Sequence, residues 1–182
     1  RMNNHLDEDW FERRVVFNSE NDDSTWTVIQ EPVKFQDNRT WQNYVDLKKL
    51  EITCGEAPYL VSRYDAVTGK SIEFMERIGL LDRKLRIVNE NTKDYDDWVK
   101  WCIRAYESVY GYEYQGDNLL IARINLFLTF VNCYKERWNR DPDTKLMKTI
   151  ANKIVWNIWQ MDGLKGTVPF GKPMGENGQI SF

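Results

Sequence analysis

The sequence contains a single histidine, His5, and no Gly-x-Gly-x-x-Gly motif follows any of its apolar segments. One histidine near a terminus excludes a histidine-based metal site and a Ser-His-Asp catalytic triad. The missing glycine motif argues against a nicotinamide-dependent oxidoreductase, because that motif lets the backbone approach the dinucleotide pyrophosphate. No apolar run reaches transmembrane length and the first residues do not form a signal peptide, so we expect neither a membrane span nor export.

The number of cysteines and the net charge are also low. The three cysteines, Cys54, Cys102 and Cys133, are odd in number and widely spaced, which predicts a reducing cytoplasm and no disulfide framework. A net charge of −3 is poor for a free-standing nucleic-acid binder, so DNA contact would need a local basic patch or another domain. Apolar residues, in contrast, make up 42% of the 182 residues, which predicts one domain with a sizeable core.

Three apolar segments, at 50–53, 110–114 and 154–160, have the composition of short buried strands. Each ends in a turn or at an acidic residue: in chain order, the small-residue turn Cys54–Pro58, then Glu113, then Asp162. A long apolar helix begins near Asp117 or Asn118. This order is compatible with a parallel α/β sheet, in which ligands bind outside the carboxyl ends of the strands.

These segments resemble the motifs of adenine-specific DNA methyltransferases from bacterial restriction-modification systems. The first motif of that family, Leu-Asp-Pro-Ala-Cys-Gly-Ser-Gly-Ala-Phe-Leu, is matched at Leu50, Cys54, Gly55 and Leu60. The second, Gly-Val-Asp-Ile-Asp-Pro followed by an Ile-Ala-Lys-x-Asn-Leu helix, is matched at Gly111, Glu113, Ile121, Ala122, Asn125 and Leu126. The third, Asn-Ile-x-x-Gly-Asp-x-Leu, is matched at Asn157, Ile158, Asp162 and Leu164.

A closer resemblance covers nearly the whole chain and is to restriction endonuclease methylation subunits. In those proteins an Asn-Asn-x-x-Asp-x-x-Trp-Phe segment, similar to Asn3 to Phe11 here, follows a Phe-Thr-Pro motif. The resemblance implies a partial, single Rossmann-like α/β methyltransferase domain with a mainly parallel sheet and flanking helices. It also implies S-adenosylmethionine as the cofactor, and DNA as a partner through the remainder of a parent protein, with no metal and no membrane.

The resemblance assigns roles to particular residues. Glu113 would bind the ribose hydroxyls, Tyr114 or Gln115 would flank the adenine ring, and Asp162 would accept the adenine amine. The turn formed by Cys54, Gly55, Glu56, Ala57 and Pro58 would face the methionine moiety. These are expectations carried over from the family, position by position.

The chain also departs from the family. The catalytic tetrapeptide Asn-Pro-Pro-Tyr or its Phe variant is absent, as is the Phe-Thr-Pro motif, and Ala57-Pro58 stands where a second glycine is usual. We therefore expect a fragment without catalytic residues, inactive alone, whose parent continues on both sides. The alternative is a non-catalytic interaction or scaffold domain that retains the methyltransferase fold.

The expected organisation is an N-terminal helical and edge-strand segment at 1–49, the α/β core at 50–164, and a Gly/Pro-rich tail at 165–182. The core contains an insertion at about 61–91, whose basic residues are Arg77, Arg83, Lys84 and Arg86. A functional interpretation gives these four to DNA phosphates or to a neighbouring domain. The alternative is a solvated helix face that pairs with Glu73, Glu76 and Asp82.

Local signals predict several helix starts. Thr40 is a plausible cap for a helix at 41–49, Asp94 for a helix with an apolar face, and Asp141 to Thr144 for a turn and a further helix. The segment 26–35 alternates as an edge strand does, and 118–138 is apolar nearly all round, which predicts a central helix.

Overall fold

The structure is a computed structural model, and it describes residues 2–23, 25–36, 38–65, 67–169 and 171. Its helices are α1 Met2–Phe11, α2 Trp41–Asp46, α3 Leu80–Asn91, α4 Tyr95–Glu107, α5 Gly116–Trp138 and α6 Thr144–Asn157, with a 3₁₀ turn at Phe74–Glu76. Its strands are β1 Asn18–Glu20, β2 Trp26–Val28, β3 Lys49–Ile52, β4 Val109–Glu113 and β5 Ile158–Gln160. Of the predicted tail, residues 170 and 172–182 lie outside the described residues.

The strands β3, β4 and β5 form a parallel sheet with β4 in the middle. Ile52 of β3 is in register with Tyr112 of β4, which is in register with Trp159 of β5. The predicted α/β class and the parallel pairing of the three segments are confirmed. Three strands are too few to establish a Rossmann-like fold, so that finer prediction stays a prediction.

The third predicted strand, 154–160, is wrong in its first half. Residues 154–157 form the last turn of α6, and β5 begins only at Ile158. The helix begins at its Asp143 cap, whose carboxylate accepts a hydrogen bond from the Leu146 amide at 2.8 Å. Leu146, Ile150 and Ile154 then share one buried face. Helical periodicity therefore continues to the end of α6 and outweighs the local strand composition.

The two faces of the parallel sheet differ in exposure. Glu51, Gly111 and Ile158 lie side by side on the buried face. On the opposite face Leu50 is 46% and Ile52 is 50% exposed. Among the described residues β3 has no strand on its outer edge. Parallel sheets are normally covered on both faces, so this apolar face and edge are unusual.

The segment predicted as an insertion contains a core helix. Eight of the twelve residues of α3 are buried, and the helix packs against α2 and α4. The preceding stretch is largely irregular, with one isolated antiparallel bridge between Tyr64 and Ser71. Because α3 supplies Leu81, Leu85 and Val88 to the main core, it belongs to the body of the domain.

The N-terminal segment shares the same core. Phe11 of α1 and Phe17 before β1 pack on Tyr44 of α2, with ring centroids 5.3 and 5.7 Å apart. The strands β1 and β2 pair antiparallel, so the predicted edge strand at 26–35 shortens to Trp26–Val28. Such tilted aromatic contacts add to the burial energy of the rings.

The three predicted helix caps are confirmed. Thr40 and Asp94 accept hydrogen bonds from the amides three residues on, Asn43 at 3.2 Å and Asp97 at 2.9 Å, as Asp143 does for α6. The helix after Thr40 ends at Asp46, earlier than predicted. These caps satisfy backbone donors that have no partner inside the helix.

The long helix α5 is central but not buried all round. Leu119, Ala122 and Phe130 are in the core, whereas Leu120 is 59% and Ile124 is 45% exposed. The predicted central position is therefore right for one face only. Among the described helices, α5 included, none is both long enough and apolar enough to cross a bilayer.

Candidate functional site

The turn after β3 has an unusual backbone. Thr53, Gly55 and Ala57 all have positive φ, at 61°, 55° and 66°. Glycine adopts this conformation freely, whereas it is sterically unfavourable for Thr53 and Ala57, so contacts elsewhere in the fold must stabilise it. A Cβ placed on Gly55 would meet no atom within 4 Å, so the space beside this residue is open. The turn therefore presents backbone to solvent at Gly55.

The side chains of the turn divide into two groups. Cys54 and Ala57 are buried, so only their backbone atoms are available to a ligand. Burial, with the nearby carboxylates of Glu51 and Glu113, raises the pKa of the Cys54 thiol to about 12. A thiol that stays protonated at neutral pH is a packing group and not a nucleophile.

Glu113, at the end of β4, is hydrogen-bonded to the segments that follow β3 and β5. Its carboxylate accepts a hydrogen bond from the Gly55 amide at 2.7 Å through one oxygen and from the Gln115 amide at 2.8 Å through the other. Its carbonyl accepts from the Met161 amide at 3.0 Å. The residue is 3% exposed, so a ligand hydroxyl reaches it only when its neighbours shift. Each carboxylate oxygen keeps a second lone pair for such a contact.

Asp162 follows β5 and is held in a local turn. Its Oδ1 accepts from the amides of Leu164 and Lys165, both at 3.0 Å, and Oδ2 lies 3.7 Å from the Lys165 ammonium. The Lys165 amide, more than any other group, lowers the pKa of Asp162, which is therefore ionised at neutral pH. Among the described residues no hydrogen bond or ion pair joins Asp162 to Gly55 or Glu113, although all three lie at the carboxyl ends of adjacent parallel strands.

Two further positions complete this edge. Tyr114 directly follows Glu113 and is 54% exposed. Gly163 packs so closely that a Cβ there would lie 2.4 Å from Cγ2 of Ile52. The chain after β5 therefore crosses over the end of β3, which brings the last predicted motif next to the first.

A polar network that the sequence did not reveal supports the turn. The Tyr64 hydroxyl donates to the carboxylate of Glu56, and the Asn125 amide donates to the Glu56 carbonyl at 3.0 Å. Asn125 lies on α5, so this network ties the turn to the central helix. Asn125 matches the second motif of the family, and that match was the one available signal of its importance.

Glu51 is the second missed residue. It is 8% exposed, and its Oε2 has no hydrogen-bond partner among the described residues. Burial raises the pKa of Glu51 to about 8, so its carboxyl is mostly protonated at neutral pH. Glu51 stands where the first motif quoted above has Asp, but only the fold shows that its side chain is buried.

The prediction that Arg83 and Lys84 bind DNA is wrong, because both are buried, at 2% and 0% exposure. Arg83 donates to Asp7, to Asn4 at 2.7 Å and to Asn18 at 2.9 Å. Lys84 donates to the carbonyls of Val45 and Leu47 and to the Ser108 hydroxyl. Polar groups inside the core need hydrogen-bond partners there, and both side chains have them.

Arg77 and Arg86 are also engaged within the chain. Arg77 donates to the Ile72 carbonyl at 3.1 Å, and Arg86 pairs with Glu90 at 2.7 Å. The four cations therefore do not form one exposed basic patch. The alternative, a solvated helix face, is wrong as well, because Asp82 is itself buried and accepts from the amides of Ser62 and Gly79.

Within the described residues no group of three or more His, Cys, Asp or Glu side chains is placed to hold a metal ion. No protein-family model, curated protein or solved structure matches the chain. The geometry at the carboxyl edge of the sheet is therefore the basis on which a function is inferred.

Proposed function

We propose that this chain is the S-adenosylmethionine-binding portion of a DNA adenine methyltransferase from a restriction-modification system. One observation carries the proposal: the Gly55 amide donates to the Glu113 carboxylate at 2.7 Å, at the carboxyl ends of neighbouring parallel strands. An open glycine turn beside a strand-end acid is the arrangement with which α/β folds bind nucleoside ligands. In this chain the glycine turn and the strand-end acid lie 58 residues apart in sequence and are brought together by the fold.

The residues at this edge fit the cofactor in chemistry. The second lone pairs of Glu113 accept ribose hydroxyls once its neighbours shift, and the exposed ring of Tyr114 covers one face of the adenine. Asp162 is ionised and accepts the adenine amine. The open space beside Gly55 gives room for the methionine moiety, although Ala57-Pro58 narrows the turn beyond it.

The cofactor, when bound, supplies a methyl group activated on a sulfonium. The residues of this chain bind and orient it, which contributes positioning and not proton transfer. The chain carries no tetrapeptide that would orient the adenine amine of DNA. Methylation and DNA contact are therefore proposed for the parent protein, and the isolated chain is expected to methylate nothing.

The test is a titration of the folded chain with S-adenosylhomocysteine, followed by calorimetry and by amide NMR. We expect a dissociation constant in the millimolar range or below, with shifts centred on the amides of Gly55 and Tyr114. Asp162→Asn should weaken binding about tenfold, whereas Asp141→Asn, an exposed acid elsewhere, should not. Absence of heat and of amide shifts at about 10 mM ligand would refute the proposal.

The second candidate is an interaction domain that retains the fold without the cofactor. It is favoured by the exposed apolar face of Leu50 and Ile52, and by the occupied carboxylate of Glu113. An uncovered apolar face of this kind marks a contact surface. The same titration separates the two functions, because an interaction domain without a cofactor site should show no heat and no amide shifts at any cofactor concentration.

A further inference from the structure

Two half-buried arginines, Arg63 and Arg77, meet at one amide oxygen. Nη1 of Arg63 donates to Asn132 Oδ1 at 2.8 Å, and Nη1 of Arg77 donates to the same oxygen at 3.3 Å. The two guanidinium groups are therefore close neighbours. Like charges at such a separation repel each other, and an amide oxygen carries no net charge that would offset them.

The counter-charge of this pair is incomplete. The other acceptors are neutral, since Arg63 donates to the Thr129 hydroxyl at 3.3 Å and Arg77 to the Ile72 carbonyl at 3.1 Å. Among the described residues no carboxylate forms an ion pair with either arginine, and Asp82 acts on both from beyond ion-pair distance. Partial burial, followed by the charge of Arg77, lowers the pKa of Arg63. One acid beside two guanidinium groups leaves one positive charge without a partner.

Both guanidinium groups keep N–H donors for a ligand. A guanidinium has five N–H bonds in a planar fork. Within the described part of the chain, Nη2 of Arg63 and Nη2 of Arg77 have no hydrogen-bond partner. Neither atom belongs to the buried side-chain atoms without a partner, so both are open to solvent. Such a fork matches the oxygens of a carboxylate or a phosphate, so the pair calls for an anion from outside the chain.

An apolar cavity of about 230 Å³ adjoins Arg77. Its apolar wall comes from Val28, Pro32, Phe74 and Met75. Cζ of Arg77 lies 5.6 Å from the centroid of the Phe74 ring, so the charged and apolar parts of the wall are contiguous. The volume is below the usual range of drug-sized sites, so it suits a ligand with one ring or a short chain.

The remaining charges of the wall are engaged within the chain. Arg86 pairs with Glu90 at 2.7 Å, and the Asp82 carboxylate accepts from two backbone amides. Among the described residues that line the cavity, Arg77 is thus the one cation without an acid in contact. A ligand with one negative charge complements this wall.

We propose that this cavity binds a small organic carboxylate with an apolar body. The carboxylate accepts from Nη2 of Arg77 and of Arg63, and the body lies against Phe74 and Met75. A carboxylate has the single charge that the arginine pair lacks, whereas a phosphate monoester carries more than one at neutral pH. The described wall of the cavity contains no residue of the proposed cofactor site, so the inference does not rest on that function.

The test compares benzoate with benzamide, its neutral isostere, and with acetate, which has the charge without the ring. Calorimetry and NMR of the full chain measure binding. We expect benzoate to bind in the millimolar range or tighter, with shifts at the Met75 methyl group. Benzamide and acetate should each bind at least about tenfold more weakly. Equal affinity for benzoate and either analogue, or no benzoate binding to the folded chain at about 10 mM, would overturn the inference.

One substitution tests the missing counter-charge directly. Asn132→Asp places a carboxylate at the oxygen that both guanidinium groups already contact, with almost no change of shape. Because the counter-charge then comes from within the chain, benzoate binding should weaken about tenfold or more and the melting temperature should rise. Asn38→Asp adds the same charge at an exposed position outside the cavity wall, and this matched control should change neither. Unchanged benzoate binding in Asn132→Asp would contradict the assignment.

Removal of a cation gives an independent readout. Arg77→Gln should weaken benzoate binding about tenfold or more, whereas Arg140→Gln should not. The control is matched because both arginines lie over an aromatic ring, with Cζ 5.6 and 5.4 Å from the ring centroid. Equal benzoate binding in the two variants would overturn the role of Arg77. Displacement of benzoate by S-adenosylhomocysteine would overturn the separation of this cavity from the cofactor site.

Discussion

The guanidinium of Arg83 donates to the carboxylate of Asp7, 76 residues earlier in the chain, and both side chains are almost fully buried. Asp7 also accepts from the Tyr44 hydroxyl at 2.8 Å. This buried pair fastens α1 to α3 and α2. The Asn-Asn-x-x-Asp pattern near the amino terminus and the basic run of α3 therefore meet, through Asn4, Asp7 and Arg83.

Removing one partner of this pair should be strongly destabilising. We expect Asp7→Ala to lower the free energy of unfolding by about 3–5 kcal/mol, because it leaves the Arg83 charge buried and unpaired. The exposed pair of Arg104 and Asp46 is the control, and Asp46→Ala should cost about 1 kcal/mol or less. Urea denaturation measures both. Similar costs at the two sites would show that burial of the pair is not what stabilises the fold.

Glu51 should make the domain less stable as the pH rises. Its pKa is about 8 when folded against 4.5 as the ordinary value, so the folded state binds more protons between these limits. We expect the stability to fall from pH 4.5 to pH 8 by an amount on the order of 4 kcal/mol. Glu51→Gln should remove this decline and be more stable than the parent at pH 8. An equal decline in Glu51→Gln and in the exposed-site control Glu136→Gln would contradict the assignment.

Lys84 should have the opposite effect at higher pH. Burial, together with the nearby Lys49 charge, lowers the pKa of Lys84 from 10.5 to about 7. The unfolded state binds more protons in this window, so stability should rise between pH 7 and pH 10 by on the order of 3 kcal/mol. Lys84→Met should lose that rise, which chemical denaturation at the two pH values measures. A rise that persists in Lys84→Met would assign it to another group.

The Glu113 carboxylate should protect the Gly55 amide. Glu113→Gln replaces one acceptor oxygen with a donor, so either Gly55 or Gln115 loses its partner. We expect a cost of about 1–3 kcal/mol and faster hydrogen exchange at one of these two amides. Asp162→Asn, which leaves those bonds intact, is the control. Unchanged exchange at both amides in Glu113→Gln would show that the bonds are not formed in solution.

The features that the sequence predicted are local ones. Thr40, Asp94 and Asp143 are caps whose partners lie three residues away, so their role can be read from the immediate sequence. The parallel order of β3, β4 and β5 followed from short apolar segments separated by helices, which allow few other arrangements.

The features that the sequence missed depend on distant partners. The positions of Arg83 and Lys84 are determined by Asp7 and by backbone carbonyls of Val45 and Leu47, which no pattern within α3 reveals. The same holds for Tyr64, whose hydroxyl contacts Glu56 in a turn that has no regular structure. A run of basic residues therefore carries no information about exposure until the opposing charges are located.

The sequence separation of Asp7 and Arg83 also affects the order in which contacts form during synthesis on the ribosome. A ribosome that adds about 5–20 residues per second needs roughly 4–15 s to synthesise the intervening stretch. During this interval Asp7 lacks its ionic partner, although Tyr44, on which Phe11 packs, has already been synthesised. The ionic contact between α1 and α3 is therefore among the last contacts of α1 to form.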